Sequence, residues 1–68
     1  MNLCEAVRKA FKTGGCITVP EFRGSLKIRP TNGGGNCIAS NWDGSNPSKT
    51  GWQPEANDFI RDDWEIVS

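Results

Sequence analysis

Three cationic side chains, Arg23, Lys27 and Arg29, recur in the stretch RGSLKIR, and Trp42 and Trp52 bracket a polar loop further along. Alternate residues of a strand share a face, so some of these cations can meet phosphate oxygens together through charge-assisted hydrogen bonds. The competing reading is an ordinary solvated sheet face. Aromatic rings stack on nucleobases for about 1 to 3 kcal/mol each, and Trp42, beside the polar loop, is the better stacking candidate. Asp43 adjoins it and joins the candidate ligand contacts. Phe22 either stacks a base at a subunit junction or fills a core. Trp52, where a loop meets a helix start, either packs inside or faces a pocket. Asn57 and Asp58 can bond ribose hydroxyls or a base edge, or Asp58 can cap nearby backbone. The candidate ligand-binding set is therefore Phe22, Arg23, Arg29, Trp42, Asp43, Trp52, Asn57 and Asp58.

Gly33 to Gly35 can form either a hairpin turn or a nest of N–H groups for a phosphate; no Walker lysine follows them. Catalysis has little to draw on. There is no histidine, no thiol beside a base, and Asp62 and Asp63 are sequence neighbours that need not converge. The residues point to binding.

The elements that must position them follow from periodicity. Leu3, Ala6, Val7, Ala10 and Phe11 have the spacing of one apolar helix face, with Asn2 and Glu5 in a capping-box pattern and Gly14 and Gly15 as the stop. A helix is expected from Leu3 to Lys12. CITVPEF and SLKIRP read as two strands joined by a tight turn at Arg23 and Gly24, with Pro20 marking an edge or a bulge in the first. PTNGGG turns into a return strand at NCIASNW, and residues 43–51 form a surface loop. Pro54 suits the first turn of a short helix ending near Arg61, and the alternation of Trp64 and Ile66 reads as a last strand, with Trp64 in the core. The expected class is α+β: one N-terminal amphipathic helix on a small antiparallel sheet, with a short helix before the last strand.

A chain of 68 residues makes one domain, residues 1–68, whose core is marginal without a staple or a partner. Three cysteines without a histidine do not suggest zinc or a disulfide framework, so Cys4, Cys16 and Cys37 are expected to be buried apolar fillers in a reducing cytosol. Eight basic and eight acidic side chains balance, which argues against a partner such as long nucleic acid. No apolar run is long enough to cross a bilayer, so a soluble protein without a membrane partner is expected. No metal or cofactor is implied. A homo-oligomer is the favoured remedy for the small core.

The tail GWQPEANDFIRDDWEIVS carries one further pattern. Trp52, Pro54, Asp58, Phe59, Ile60, Asp63, Trp64, Ile66 and Val67 stand in the register W-x-A/P-S-x-x-D-hydrophobic-hydrophobic-A-x-D-W-x-V/I-V. This resembles the C-terminal signature of the phage Thoeris anti-defence family, second type, whose members also open with a short amphipathic helix and a glycine. Glu55 replaces the family's serine and Arg61 its small residue, and Val19, Pro20, Glu21 and Phe22 stand where the family has a basic residue and Gly-Trp. The resemblance implies a non-enzymatic homotetrameric sponge in the host bacterial cytoplasm. Such a sponge sequesters a nucleotide immune signal, a cyclic ADP-ribose isomer or a cyclic dinucleotide, before it activates a host effector. The alternative it carries is a protein-binding anti-CRISPR inhibitor of a Cas nuclease; a structural phage module is a third reading.

Overall fold

A computed structural model of the chain describes residues 1–31, 37–48 and 51–67. Helix α1 (Leu3–Thr13) begins where Asn2 Oδ1 accepts the Glu5 N–H at 2.8 Å and Glu5 Oε1 accepts the Asn2 N–H at 3.3 Å. It ends at Gly14, whose φ of 73° is left-handed and favours glycine. Four short strands follow: β1 (Cys16–Thr18), β2 (Leu26–Arg29), β3 (Ile38–Asn41) and, after helix α2 (Ala56–Ile60), β4 (Glu65–Val67). They form one antiparallel sheet in the order β3-β2-β1-β4. The class is α+β, as the sequence pattern implies.

Four expectations are corrected. The strand CITVPEF stops at Thr18, because β1 is central and pairs on both sides, and Pro20 has no N–H to give to a ladder. Residues 20–25 instead form a helical turn in which Val19 O accepts the N–H of Phe22 and of Arg23, and Phe22 O accepts those of Ser25 and Leu26. Phe11 does not join the helix's buried stripe and is 51% exposed. Leu3, Ala6 and Ala10 define that stripe, and at about 100° per residue Phe11 lies roughly 100° round from its centre. Of the thiols only Cys16 is buried; Cys4 is exposed on α1 and Cys37 is half-buried. Pro54 also precedes the cap of α2, Glu55, instead of opening the first turn. The hairpin glycines Gly33 to Gly35, with Asn32, lie outside the described residues, as do Lys49 and Thr50 of the loop.

The sheet has two unlike faces. Ile17 pairs with Ile28 and Ile66, and Ile28 with Ala39, so these residues share a face. That face meets α1, and with Leu3, Ala6, Ala10, Val19 and Trp64 it makes the core. Trp64 is its largest member, 2% exposed. The indole N–H of Trp64 donates to Asp58 O at 2.9 Å, its backbone N–H donates to Met1 O at 3.0 Å, and its ring meets Trp52 edge-on at 5.8 Å. Among the described residues, no helix is long and apolar enough to cross a membrane.

A second tie crosses the surface. Arg61 gives Nη1 and Nη2 to the two carboxylate oxygens of Glu21 at 2.7 and 2.8 Å, and Nε and Nη2 to Asp63. The tail is thereby clamped to the β1–β2 turn. Hydrogen bonds from Arg61 hold both carboxyls below their usual range, and the same carboxylates raise the guanidinium's own affinity for its proton.

Two predictions follow from these ties. Trp64→Ala removes the largest core side chain and is expected to destabilise the fold by about 3 to 5 kcal/mol, enough to unfold much of so small a domain. Trp64→Phe keeps most of the volume but leaves Asp58 O without its donor, a loss of about 1 to 3 kcal/mol. Urea denaturation of the three proteins checks the order. The Arg61 clamp has the opposite relation to pH from a histidine. Its two carboxyls are depressed in the folded state, so its contribution is present above their ordinary values of 4.5 and 3.8 and is lost as the pH falls below them. The melting temperature of Arg61→Ala should therefore lie below that of the wild type at neutral pH, and the gap should close by about pH 2.

Candidate functional site

The face of the sheet away from α1 carries most of the polar side chains, and no helix among the described residues lies on it. Lys27 and Arg29, two apart on β2, share it with Ser40 and Ile38 opposite them on β3 and with Cys16, Thr18, Glu65 and Val67 on the other side. Cys16 and Thr18 are almost fully buried, yet neither belongs to the hydrophobic core cluster. The Thr18 hydroxyl donates to Leu26 O at 3.0 Å. Lys27 and Arg29 stand on β2 beside this buried centre.

Two depressions flank Lys27. The larger, about 420 Å³, is lined by Arg23, Lys27, Trp42 and the edge strand at Ile66 and Val67. The smaller, about 240 Å³, is lined by Lys27, Arg29, Ile38, Ser40, Gly44 and Pro47. Arg23 reaches this face from the β1–β2 turn, where Gly24 supplies a φ of 84°. Trp42 reaches it because its N–H donates to Ser25 O at 2.9 Å, which ties the end of β3 to the start of β2. Asp43 follows in a turn: its Oδ1 accepts the N–H of Ser45 at 2.9 Å and the Ser45 hydroxyl at 2.7 Å. Those bonds, the hydroxyl first, hold the Asp43 carboxyl below the usual carboxylate range, and the charge of Lys27 adds to the effect.

The eight predicted contacts fall in two places. Arg23, Arg29, Trp42 and Asp43 lie on or beside the open face, with Phe22 next to Arg23 in the turn and 37% exposed. Trp52, Asn57 and Asp58 belong to the other end of the fold. Trp52 packs against the core, bridges Cys37 through its backbone, and lines an apolar groove of about 290 Å³ with Leu3, Cys4, Val7, Cys37, Pro54 and Phe59. Burial raises the Cys37 thiol above its ordinary value there. Asn57 borders an open hollow with Ile60, Arg61, Asp62 and Asp63. Asp58 Oδ2 accepts the Glu55 N–H at 2.7 Å, which makes it a cap at the start of α2, the structural half of its predicted alternatives.

Lys27 is the residue this site adds to the candidate list, since it alone lines both depressions. Its signal in the sequence was the two-residue spacing to Arg29. Ser40, Gly44 and Pro47 gave no such signal, because Ser40 meets Lys27 only through the β2–β3 register and Gly44 and Pro47 line the depression from the loop after β3. Chemically the face offers cations, an aromatic ring and a hydroxyl, and no histidine is available as a base. That is equipment for holding an anion with a flat ring attached.

No protein-family profile, curated protein or solved structure matches the chain.

The division of the candidates has a measurable consequence. Trp42→Ala and Lys27→Ala change half-exposed side chains, so they should leave the melting temperature within a few degrees of the wild type while weakening the nucleotide binding expected from the sequence. A lost base stack corresponds to about 1 to 3 kcal/mol. Asp58→Ala should do the reverse, lowering stability by about 1 kcal/mol through the lost cap with binding per folded molecule unchanged. Calorimetric titration beside thermal melting separates the two patterns.

Proposed function

We propose that this chain is a phage anti-defence sponge of the Thoeris anti-defence family, second type, which binds a nucleotide immune signal without transforming it and keeps it from a host effector in the bacterial cytoplasm. The observation that carries the reading is the convergence of Arg23, Lys27 and Trp42 on one depression of the helix-free sheet face. A cyclic ADP-ribose isomer or a cyclic dinucleotide offers the matching parts, phosphates for the cations and a base for the indole. The register of the tail motif from Trp52 to Val67 supports the same reading from the sequence.

Sequestration needs enclosure, and ligand sites bury most of the molecule they hold. An open depression on a domain this small covers one side of a nucleotide. The reading therefore includes a homotetramer in which a second copy closes the site. Exposed Phe11, Phe59 and Ile60 give such copies apolar surface to cover.

The test is retention. Purified protein is incubated with a panel of cyclic dinucleotides and ADP-ribose cyclisation products, filtered, and heated to release what it holds. Intact release of one or more members is the expected result, together with a tetramer in native mass spectrometry at micromolar concentration. Release of a degraded product overturns the reading in favour of an enzyme, and retention of none overturns it in favour of a protein-binding role.

A further inference from the structure

The open face contains one contact that an anionic ligand has to break. Arg23 directs Nε at 2.7 Å and Nη2 at 2.5 Å to a single oxygen, Oε1 of Glu65. Two donors converge on one atom, so the pair lacks the parallel two-oxygen geometry that Arg61 makes with Glu21. The Arg23 side chain is 63% exposed and Glu65 33%. An ion pair this open is weakly held, and its guanidinium lies at the rim of the depression shared with Lys27 and Trp42.

The charges on the open face as a whole, where Arg29 lines only the smaller depression, make the pair consequential. Arg23, Lys27 and Arg29 supply three cations, while Glu65 and Asp43 supply two carboxylates, so the face as it stands has little net attraction for a dianion. One carboxylate has to move if the full cationic set is to act. Asp43 is fixed to its own turn by the Ser45 N–H and hydroxyl. Among the described residues, Glu65 bonds only Arg23. It stands on an edge strand, with its side chain 33% exposed.

We infer that Glu65 is a displaceable internal anion, occupying on Arg23 the position that a ligand phosphate takes and setting the threshold of charge an incoming anion must carry. The inference rests on the reading of this face as a nucleotide site and adds a residue that decides which anions succeed. A monoanion gains no more from Arg23 than Glu65 already does, and Glu65 is tethered in place. A diphosphate meets Arg23 and Lys27 together and displaces it. The face thereby rejects chloride and carboxylates while accepting phosphoanhydrides and phosphodiesters in pairs.

Inorganic pyrophosphate is the probe, titrated at constant ionic strength against the wild type and Glu65→Gln, with the Arg23 Nε–H resonance followed by NMR. Glu65→Gln keeps the shape of the side chain, and its thermal melt verifies that it folds. The expected result is a saturable shift of the Arg23 resonance in both proteins, with affinity about 1.5- to fivefold tighter in Glu65→Gln, the range an exposed ion pair allows. In an Arg23→Ala background the gain should vanish. Equal affinities for the wild type and Glu65→Gln overturn the inference, and so does a gain that persists without Arg23, which reports only a change of overall field. Failure of pyrophosphate to bind either protein also overturns it. The nucleotide reading fails separately: a gain with pyrophosphate, in a protein that retains no cyclic nucleotide, supports the displacement and removes the sponge.

Discussion

The burial of Trp64 is the constraint on which the remaining structure depends. One side chain serves four segments: its backbone N–H is bonded to Met1 before α1, its indole N–H to the carbonyl of Asp58 in α2, its ring to Trp52 at the end of the long loop, and its own position starts β4. With eight buried apolar residues among those described, two of them alanines, the domain has few large groups with which to close its ends. An indole suits that task because its apolar body fills the gap under α1 while its single polar atom finds a carbonyl. The unpaired alternative, a buried N–H, would cancel part of what the ring contributes.

With both helices gathered about Trp64 on one side, no helix among the described residues covers the opposite face of the sheet. Such a face is tolerable in water when its centre is small and its margins polar. Cys16 and Thr18 at the centre and Lys27, Arg29, Ser40 and Glu65 around them satisfy both conditions. The charge here is the by-product of where the core lies, and it creates the open cationic ground on which the proposed function rests. The arrangement also explains why two tryptophans stand in the tail. Trp64 and Trp52 close the core, while Trp42, in the loop after β3, is left to the polar face.

Legibility in the sequence followed the range of the interactions concerned. Helix α1 could be read almost to the residue, since its cap, its stripe and its stop are all set within a few positions. The α+β class was legible for the same reason. Strand order was not: nothing local distinguishes a central β1 from an edge, and the effect of Pro20 changed once β4 paired on its far side, so that the strand ended instead of bulging. Phe11 was misplaced because five apolar positions were assigned to one face where the sheet contacts three. At the site, Arg29 and Trp42 were legible as types. Their company was not, because Ser40 meets Lys27 only through the β2–β3 register and Gly44 lines the depression from the loop after β3. Arg61 carried no sequence sign of its partner Glu21, forty residues away.

Overall neutrality is a poor guide to what such a face can hold. The formal net charge of zero argues against a polyanion that must be gripped along its length, because that requires many cations on one side. It does not exclude a compact dianion, which samples charges only within about a Debye length, about 8 Å at physiological ionic strength. On the open face the relevant groups are Arg23, Lys27 and Arg29 against Asp43 and Glu65, and the acidic cluster of Glu21 and Asp63 is already matched by Arg61. Pairing Glu21 and Asp63 with Arg61 at the tail has a second effect beyond the clamp: it withdraws two carboxylates from competition for the cations of the sheet. The distribution of the charges, fixed by register and by the two ties at Trp64 and Arg61, therefore determines what the face can bind.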